Sequence, residues 1–437
     1  MKKGRLKYKI NGTFLMIAML VGAVLINLIL GAIDTKVPLE VDLTKENLYE
    51  FSQQTNDIMK SLDKDITIYA IYGEGNVPTQ VEKYLDRYKA LSSRVTVTTI
   101  DPYKEPTRIQ KFEAKGDTIS NGSLIVECGD KFKIISADQM TATDFLKQQN
   151  LVLENRITNA VYFVTGAGEQ QKLYFTEGHG ESENSQLQTA LQNEDYLAET
   201  VNLSISDVPE DADGLVILAP QKDFTEEERN RLAAYMENGG NAAFIFTPGG
   251  DKLERLSAYL AEWGITPMYN LVVEGDQSKN LMTRLGASPV PDMTEHDITT
   301  NLIAQKLTYV AFPTMSLSVN TTNPQYAQVT PLLKTSADSY GKVNVQAQSA
   351  AYEEGDTMGP LDVAAIAEKQ YDDGSYSRVF VSGSIWAVEY PNILSEASYA
   401  NGDFTLNTFS WMTEKPSGLS IRPKLISPET LKMTNAQ

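Results

Sequence analysis

From Lys172 onward the chain alternates short apolar runs with amphipathic stretches, and that alternation excludes most folds. Residues Lys172–Glu181 read KLYFTEGHGE. Leu173, Tyr174 and Phe175 read as a short buried strand. Glu177-Gly178-His179-Gly180-Glu181 follows as a glycine-bracketed turn that neither helix nor strand tolerates, and a polar helical stretch starts at Ser182. The unit then recurs. Leu215–Leu218 and Asn241–Phe246 are continuous apolar runs, the pattern of strands covered on both faces in a parallel sheet. Between them Thr225 and Glu228 stand three apart as a capping box. Leu232, Tyr235 and Met236 mark the core side of the helix, and Gly239-Gly240 stop it. Lys252–Trp263 is a further amphipathic helix, ending at Gly264. Repeated strand–helix units of this kind build a doubly wound α/β sheet with right-handed crossovers. Ligand crevices in such sheets lie at the carboxyl ends of the strands. One of only two histidines, His179, is therefore expected at such a crevice.

The pattern loosens over about 276–363, where Thr/Ser/Asn-rich stretches suit a β-rich insertion and His296 reads as part of a solvated loop. Regular patterning resumes at Leu361–Ala367 and Arg378–Val381, followed by Ser382-Gly383-Ser384 and a helix from Asp403 to Met412. Residues 421–437 are polar and proline-bearing, as in an exit linker.

Upstream, Ser52 is placed to cap a helix carrying Thr55, Ile58, Met59 and Leu62. Then come a strand at Ile66–Ile71, a helix at Thr79–Leu91, a strand at Val95–Ile100 and a short helix at Thr107–Lys115. A hairpin joins Leu124–Cys128 to Lys131–Ile135, and a helix is expected at Thr143–Gln149. The order β-α-β-α-β-β-α is that of a thioredoxin-like domain over 34–150. It holds no Cys-x-x-Cys, which excludes thiol redox work. A linker helix over 151–170 would join it, at the break Gly166-Ala-Gly168, to a second domain over 171–420.

The start of the chain sets its surroundings. Phe14–Ile33 is apolar except for Asn27, and twenty residues at about 1.5 Å each span the roughly 30 Å of a bilayer core. Five cations in the basic tail over 1–13, Lys2, Lys3, Arg5, Lys7 and Lys9, precede it. By the positive-inside rule they stay in the cytoplasm and the body after Asp34 lies outside. Beyond the first nine residues the chain carries 33 basic against 57 acidic residues, a balance of −24. An acidic body excludes nucleic acid as a partner, since phosphate binding needs clustered Lys and Arg.

The residues that could carry chemistry are few. Cys128 is the single cysteine and sits in the apolar run Leu124–Cys128. Two histidines 117 positions apart with one cysteine do not make a zinc set. Thr247-Pro-Gly-Gly-Asp-Lys252 misses the phosphate-loop spacing, and Leu253 stands where Ser or Thr belongs, so a helix start capped by Asp251 is the plainer reading. No cofactor and no metal is expected. Ser384 echoes a nucleophile elbow only faintly. Two readings of the 177–181 turn stay open. One is a tight turn with His179 bonding a neighbouring loop. The other is a small-ligand or peptide site, with Glu177, Gly178, His179, Gly180, Glu181 and Ser384 as the candidate residues. A surface hydrolase using His179 as base, or a ligand-binding protein, is the alternative to a non-catalytic role.

Several stretches together resemble the GldG-like auxiliary component of gliding-motility-type ABC transport systems, in the ABC transporter auxiliary family. They are Val41-Asp-Leu-Thr-Lys-Glu-Asn-Leu-Tyr-Glu-Phe-Ser52, Ile100-Asp-Pro102, Leu173–Glu181, Leu215–Pro220 with Phe224–Glu228, Gly239-Gly240, and Gly402-Asp-Phe404 with Asn407. The resemblance covers nearly the whole chain. It implies an extracytoplasmic protein working beside an ATPase subunit and a membrane permease without hydrolysing ATP itself. It also implies a second domain of the flavodoxin-like, class I amidotransferase-like group lacking the nucleophile, and, as in many members of that family, a second membrane helix that is either absent here or lies beyond Gln437.

Overall fold

The computed structural model describes residues 48–426 apart from 114–118, 145–146, 167–169, 183–184, 282–285, 323–325, 348 and 415–420, together with Met19. The basic tail over 1–13, the apolar segment over 14–33 save that one residue, the connector over 34–47 and the chain beyond 426 lie outside the described residues. Among the described residues no helix is long and apolar enough to cross a membrane.

The first unit runs α1 (Gln53–Ser61), β1 (Ile66–Ile71), α2 (Thr79–Leu91), β2 (Val95–Ile100), α3 (Pro106–Glu113), β3 (Leu124–Cys128) and β4 (Lys131–Ile135). Its sheet has the order β2-β1-β3-β4, with β1 parallel to β2 and antiparallel to β3. Ser52 does cap α1, accepting the Thr55 N–H at 3.2 Å. The described residues of Thr143–Gln149 form no helix. Instead β5 (Thr141–Thr143) and β6 (Gln149–Leu151) pair antiparallel, because the Asp144 carboxylate accepts the Gln148 N–H at 2.7 Å and closes a turn between them. After β6 comes α4 (Leu153–Thr165). Tyr84, Leu85 and Tyr88 of α2 share one core with Ile157, Val161 and Val164 of α4, while Ile109 and Phe112 of α3 fill the other sheet face.

The second unit opens with β7 (Lys172–Thr176), α5 (Gln186–Asn193), β8 (Leu197–Val201), β9 (Gly214–Leu218), α6 (Glu226–Glu237), β10 (Ala242–Ile245) and α7 (Glu254–Glu262). Next come β11 (Ile265–Pro267), β12 (Leu271–Val273), β13 (Asp292–Met293), α8 (Thr300–Ala304), β14 (Leu317–Val319), β15 (Gln328–Lys334), β16 (Tyr340–Lys342) and β17 (Thr357–Met358). It closes with β18 (Asp362–Gln370), β19 (Tyr376–Ser382), α9 (Trp386–Glu389) and α10 (Asn401–Met412). Strands β8-β7-β9-β10-β19 are mutually parallel. In chain order this is 2-1-3-4-5, the flavodoxin-like doubly wound arrangement. Alternate residues of these strands face opposite cores. Leu187 and Leu191 of α5 with Phe404, Phe409 and Met412 of α10 cover one face; Leu232 and Met236 of α6 with Leu256, Leu260 and Trp263 of α7 cover the other. Each such side chain, fully buried, contributes about 1.5–3 kcal/mol.

The stretch 276–363 carries β13 to β17: β14 and β15 extend the main sheet by pairing antiparallel with β18, while β12, β16 and β17 form a small sheet of their own. Two expectations change here. Asp251 does not cap α7. The Asp223 carboxylate, from the loop after β9, reaches across to accept the N–H groups of Arg255 at 2.7 Å and Leu256 at 3.1 Å. His296 is half-buried, not solvated: its Nδ1 accepts the Ile298 N–H at 3.2 Å and its ring meets the Trp411 edge at 5.6 Å.

The end of the described chain is likewise no free linker. Lys424–Leu425 (β20) pairs antiparallel with β6. Lys424 Nζ lies 2.8 Å from the buried Glu154 carboxylate. The same carboxylate accepts the Ser52 N–H at 2.6 Å and the Thr55 hydroxyl at 2.8 Å. Lys424 also donates to the carbonyls of Leu48 and Glu50. Removing one partner of a buried ion pair leaves an uncompensated charge. Glu154→Ala is therefore expected to lower unfolding free energy by about 3 kcal/mol, read as a reduced urea midpoint for the full chain; an unchanged midpoint would show that the cluster contributes nothing.

Candidate functional site

The turn after β7 sits where a flavodoxin-like sheet reverses its winding, between β7 and β9. Gly178 and Gly180 hold φ of +109° and +77°, values that side chains with a Cβ adopt at a cost. They turn the chain so that His179 points inward while Glu177, Gly178 and Gly180 stay at the surface.

His179 is 5 % exposed and has both ring nitrogens engaged. Nδ1 lies 3.2 Å from Glu181 Oε1 and Nε2 lies 3.2 Å from Glu228 Oε1. The His179 N–H donates to Glu181 Oε2 at 2.7 Å. Its ring stacks on Phe224 with centroids 4.2 Å apart. Its carbonyl accepts the N–H groups of Gln221 at 2.8 Å and Lys222 at 3.0 Å. The loops after β7 and after β9 are thus bonded to each other across the position where a crevice would open.

Glu228 is the residue that sequence reasoning missed as a partner of His179. It was visible as half of a capping box, and that box forms: Glu228 Oε2 accepts the N–H and hydroxyl of Thr225, each at 2.7 Å. A carboxylate has a second oxygen, and here that oxygen takes the imidazole. Burial alone would push His179 down, but the hydrogen bonds and charges of Glu181 and Glu228 outweigh it and hold the imidazole above its ordinary value. Burial likewise opposes ionisation of Glu181 and Glu228. Hydrogen bonds from His179, with the backbone N–H of His179 for Glu181 and of Thr225 for Glu228, prevail and lower both carboxyls. All three shifts run toward the charged forms, an imidazolium between two carboxylates.

Ser384 lies at the end of β19, three strand spacings from β7 in the sheet and so on the order of 14 Å away. It is buried; its hydroxyl donates to the Pro313 carbonyl at 2.8 Å and accepts the Ala387 N–H at 3.2 Å. That is a cap on the chain entering α9, out of reach of the imidazole. Cys128 is in the first unit, partly buried against its core. Among the described residues no cluster of His, Cys, Asp and Glu could hold a metal ion.

Residues 159–379, half of the chain, match the family described as an ABC-type uncharacterized transport system. The chain belongs to that family. Residues 45–141, most of the first unit of this transport-family protein, match a domain of unknown function. No curated protein matches the chain. Among solved structures, the mmIFT52 N-terminal domain is similar at 16 % identity and a TM-score of 0.42, over 55 % of this chain and 97 % of that one. PurLQS from Thermotoga maritima is similar at 12 % identity and a TM-score of 0.29, over 54 % of this chain and 96 % of that one. A ThuA-like protein from Parabacteroides merdae gives 11 % identity and a TM-score of 0.33, over 59 % and 98 %.

The clasp has a signed pH dependence. A raised histidine stabilises below its unfolded value near 6.5 and loses that contribution as pH rises through its folded value; the lowered carboxylates stabilise above 4.5 and lose theirs as pH falls. His179→Gln is expected to cost about 2–3 kcal/mol, with the gap to the unsubstituted protein widest between pH 4.5 and 6.5. Urea denaturation across pH checks this, and a gap that widens above neutrality would refute the imidazolium assignment.

Proposed function

We propose that the chain is a membrane-anchored, non-catalytic accessory subunit of an ABC transporter, of the GldG-like kind. The observation that carries this reading is membership of the ABC-type transport-system family over half of the chain. In this reading residues 14–33 anchor it in the lipid bilayer, the basic tail is cytoplasmic, and the two α/β units stand on the extracytoplasmic side beside the permease and the ATPase.

The geometry at the turn supports work by contact. A general base must present a free nitrogen within reach of its substrate, and His179 presents neither nitrogen. What the clasp does offer is a fixed rim. Glu177, Gly178 and Gly180 are exposed on a loop whose conformation is set from beneath, and we assign them to partner binding. The strand order of the first unit, with α2 and α4 on one face and α3 on the other, supports a thioredoxin-like fold used as a scaffold. The 2-1-3-4-5 order of the second supports an amidotransferase-like ancestor without its nucleophile.

Capture of the full chain from membranes in mild detergent tests the proposal. An ATPase and a permease are expected to come with it, and capture that brings down neither overturns it. His179→Ala bears on the alternative, a hydrolase at the same turn: a purified chain that turns over an ester, amide or glycoside, and loses that turnover in the variant, would establish the enzyme instead.

A further inference from the structure

The main sheet of the second unit has two ends of opposite character. At one end β11 pairs antiparallel with β14: Met268 N–H donates to the Ser316 carbonyl at 3.0 Å, and Asn320 N–H donates to the Gly264 carbonyl at 2.8 Å. This register turns the backbone groups of Ile265 and Pro267 outward, and Pro267 has no N–H to offer. A proline at an outward-facing edge position blocks the addition of another strand.

The other end is β8, the last strand in the order among the described residues. Its ladder with β7 runs through the odd-numbered residues. Leu197 N–H donates to the Gln171 carbonyl at 2.9 Å, and the Val201 carbonyl accepts the Glu177 N–H at 3.0 Å. Alternate residues of a parallel pair bond the neighbouring strand. The N–H and C=O groups of Ala198 and Thr200 therefore point away from β7. Leu197 is 38 % exposed, and Glu199 and Thr200 are exposed with it. The crossover from β8 to β9, residues 202–213, carries no helix, where most parallel crossovers do. A bare edge of this kind is a template for one more strand.

The side chains along β8 specify what that strand must carry. Leu197, Glu199 and Val201 lie on the face covered by α6 and α7; Ala198 and Thr200 lie on the face covered by α5 and α10. On the first face Lys172 Nζ lies 3.8 Å from Glu199 Oε1 and also binds Asp211, whose carboxylate accepts the Tyr174 hydroxyl at 3.0 Å. One ammonium between two exposed carboxylates leaves a negative balance beside the edge. On the second face the residues are small, and an apolar side chain would pack over them.

We propose that β8 accepts an extended segment of another protein by strand addition. Ala198 and Thr200 are its backbone partners, and a Lys or Arg of the incoming segment meets Glu199 and Asp211. A second copy of this chain is the poorer occupant. Set antiparallel with Ala198 opposite Thr200, it would bring Glu199 against its own counterpart, and like charges directly opposite destabilise a strand pair. The edge is independent of the transport reading.

Two blocked synthetic peptides test the edge against the full chain in mild detergent. One alternates Val with Lys, the other Val with Glu, and binding is read by fluorescence anisotropy. The Val–Lys peptide is expected to bind saturably, and the Val–Glu peptide about tenfold more weakly. Thr200→Pro removes one outward N–H and spares the β7 ladder. It is expected to lower Val–Lys affinity by about tenfold, with the urea midpoint reporting that the fold survives. Glu199→Lys leaves the backbone as it is and is expected to reverse the preference between the peptides, so it decides the outcome should the proline variant not fold. Three results overturn the proposal: no saturable binding of the Val–Lys peptide, equal binding of both peptides, or an unchanged preference in Glu199→Lys. Unchanged affinity in a folded Thr200→Pro variant overturns it too. So does a dimer in sedimentation that Thr200→Pro dissociates, which would make the occupant a second copy.

Discussion

A carboxylate taken out of water has to be paired, and at Glu154 that requirement organises the junction of the whole molecule. Its oxygens face the N-terminal cap of α1, the Thr55 hydroxyl and the Lys424 ammonium, so parts from opposite ends of the described chain converge on one side chain of α4. The helix that carries it is the shared wall of the two units. Ile157, Val161 and Val164 belong to the core of the first. Asn155 and Asn159 reach the second through Glu194, at 3.0 and 2.7 Å. Surface ion pairs are worth little because water competes for them; this one is buried, and its energy depends on every partner being present.

The same logic recurs at His179. Doubly covered parallel strands leave their loops as the places where polar groups must be satisfied. The switch point of the second unit is filled by an imidazole between two carboxylates. In many doubly wound proteins that position admits a ligand. Here the backbone of His179 is bonded to the loop after β9, and the side chain seals what remains. The position is one of rigidity in this chain, whose family is a transport-system family.

Most of the second unit was legible in the residues. Leu215–Leu218 and Asn241–Phe246 read as two-faced strands because nothing polar interrupts them, and Thr225 with Glu228 marked a helix start because a capping box is a local interaction. Nonlocal pairings were not legible. Nothing near Glu228 announces His179, nothing near Asp223 announces the start of α7, and nothing near Lys424 announces Glu154. Thr143–Gln149 was misread as a helix because the competing signal, one aspartate closing a turn, is a single side-chain bond. The looseness of 276–363 reflected antiparallel strands with one partly exposed face, whose pairing with β18 is set by distant partners.

The backbone reaches the first unit at Leu48 and leaves the described body just past Lys424, and the lysine ammonium touches the carbonyls of Leu48 and Glu50. The two ends of this body therefore share one doorway. A tug applied between them would be borne by Lys424 and by the brief β6–β20 ladder, and neither large sheet would feel it. Movement delivered along the chain would then arrive first at the Glu154 cluster on α4, before it reached either core.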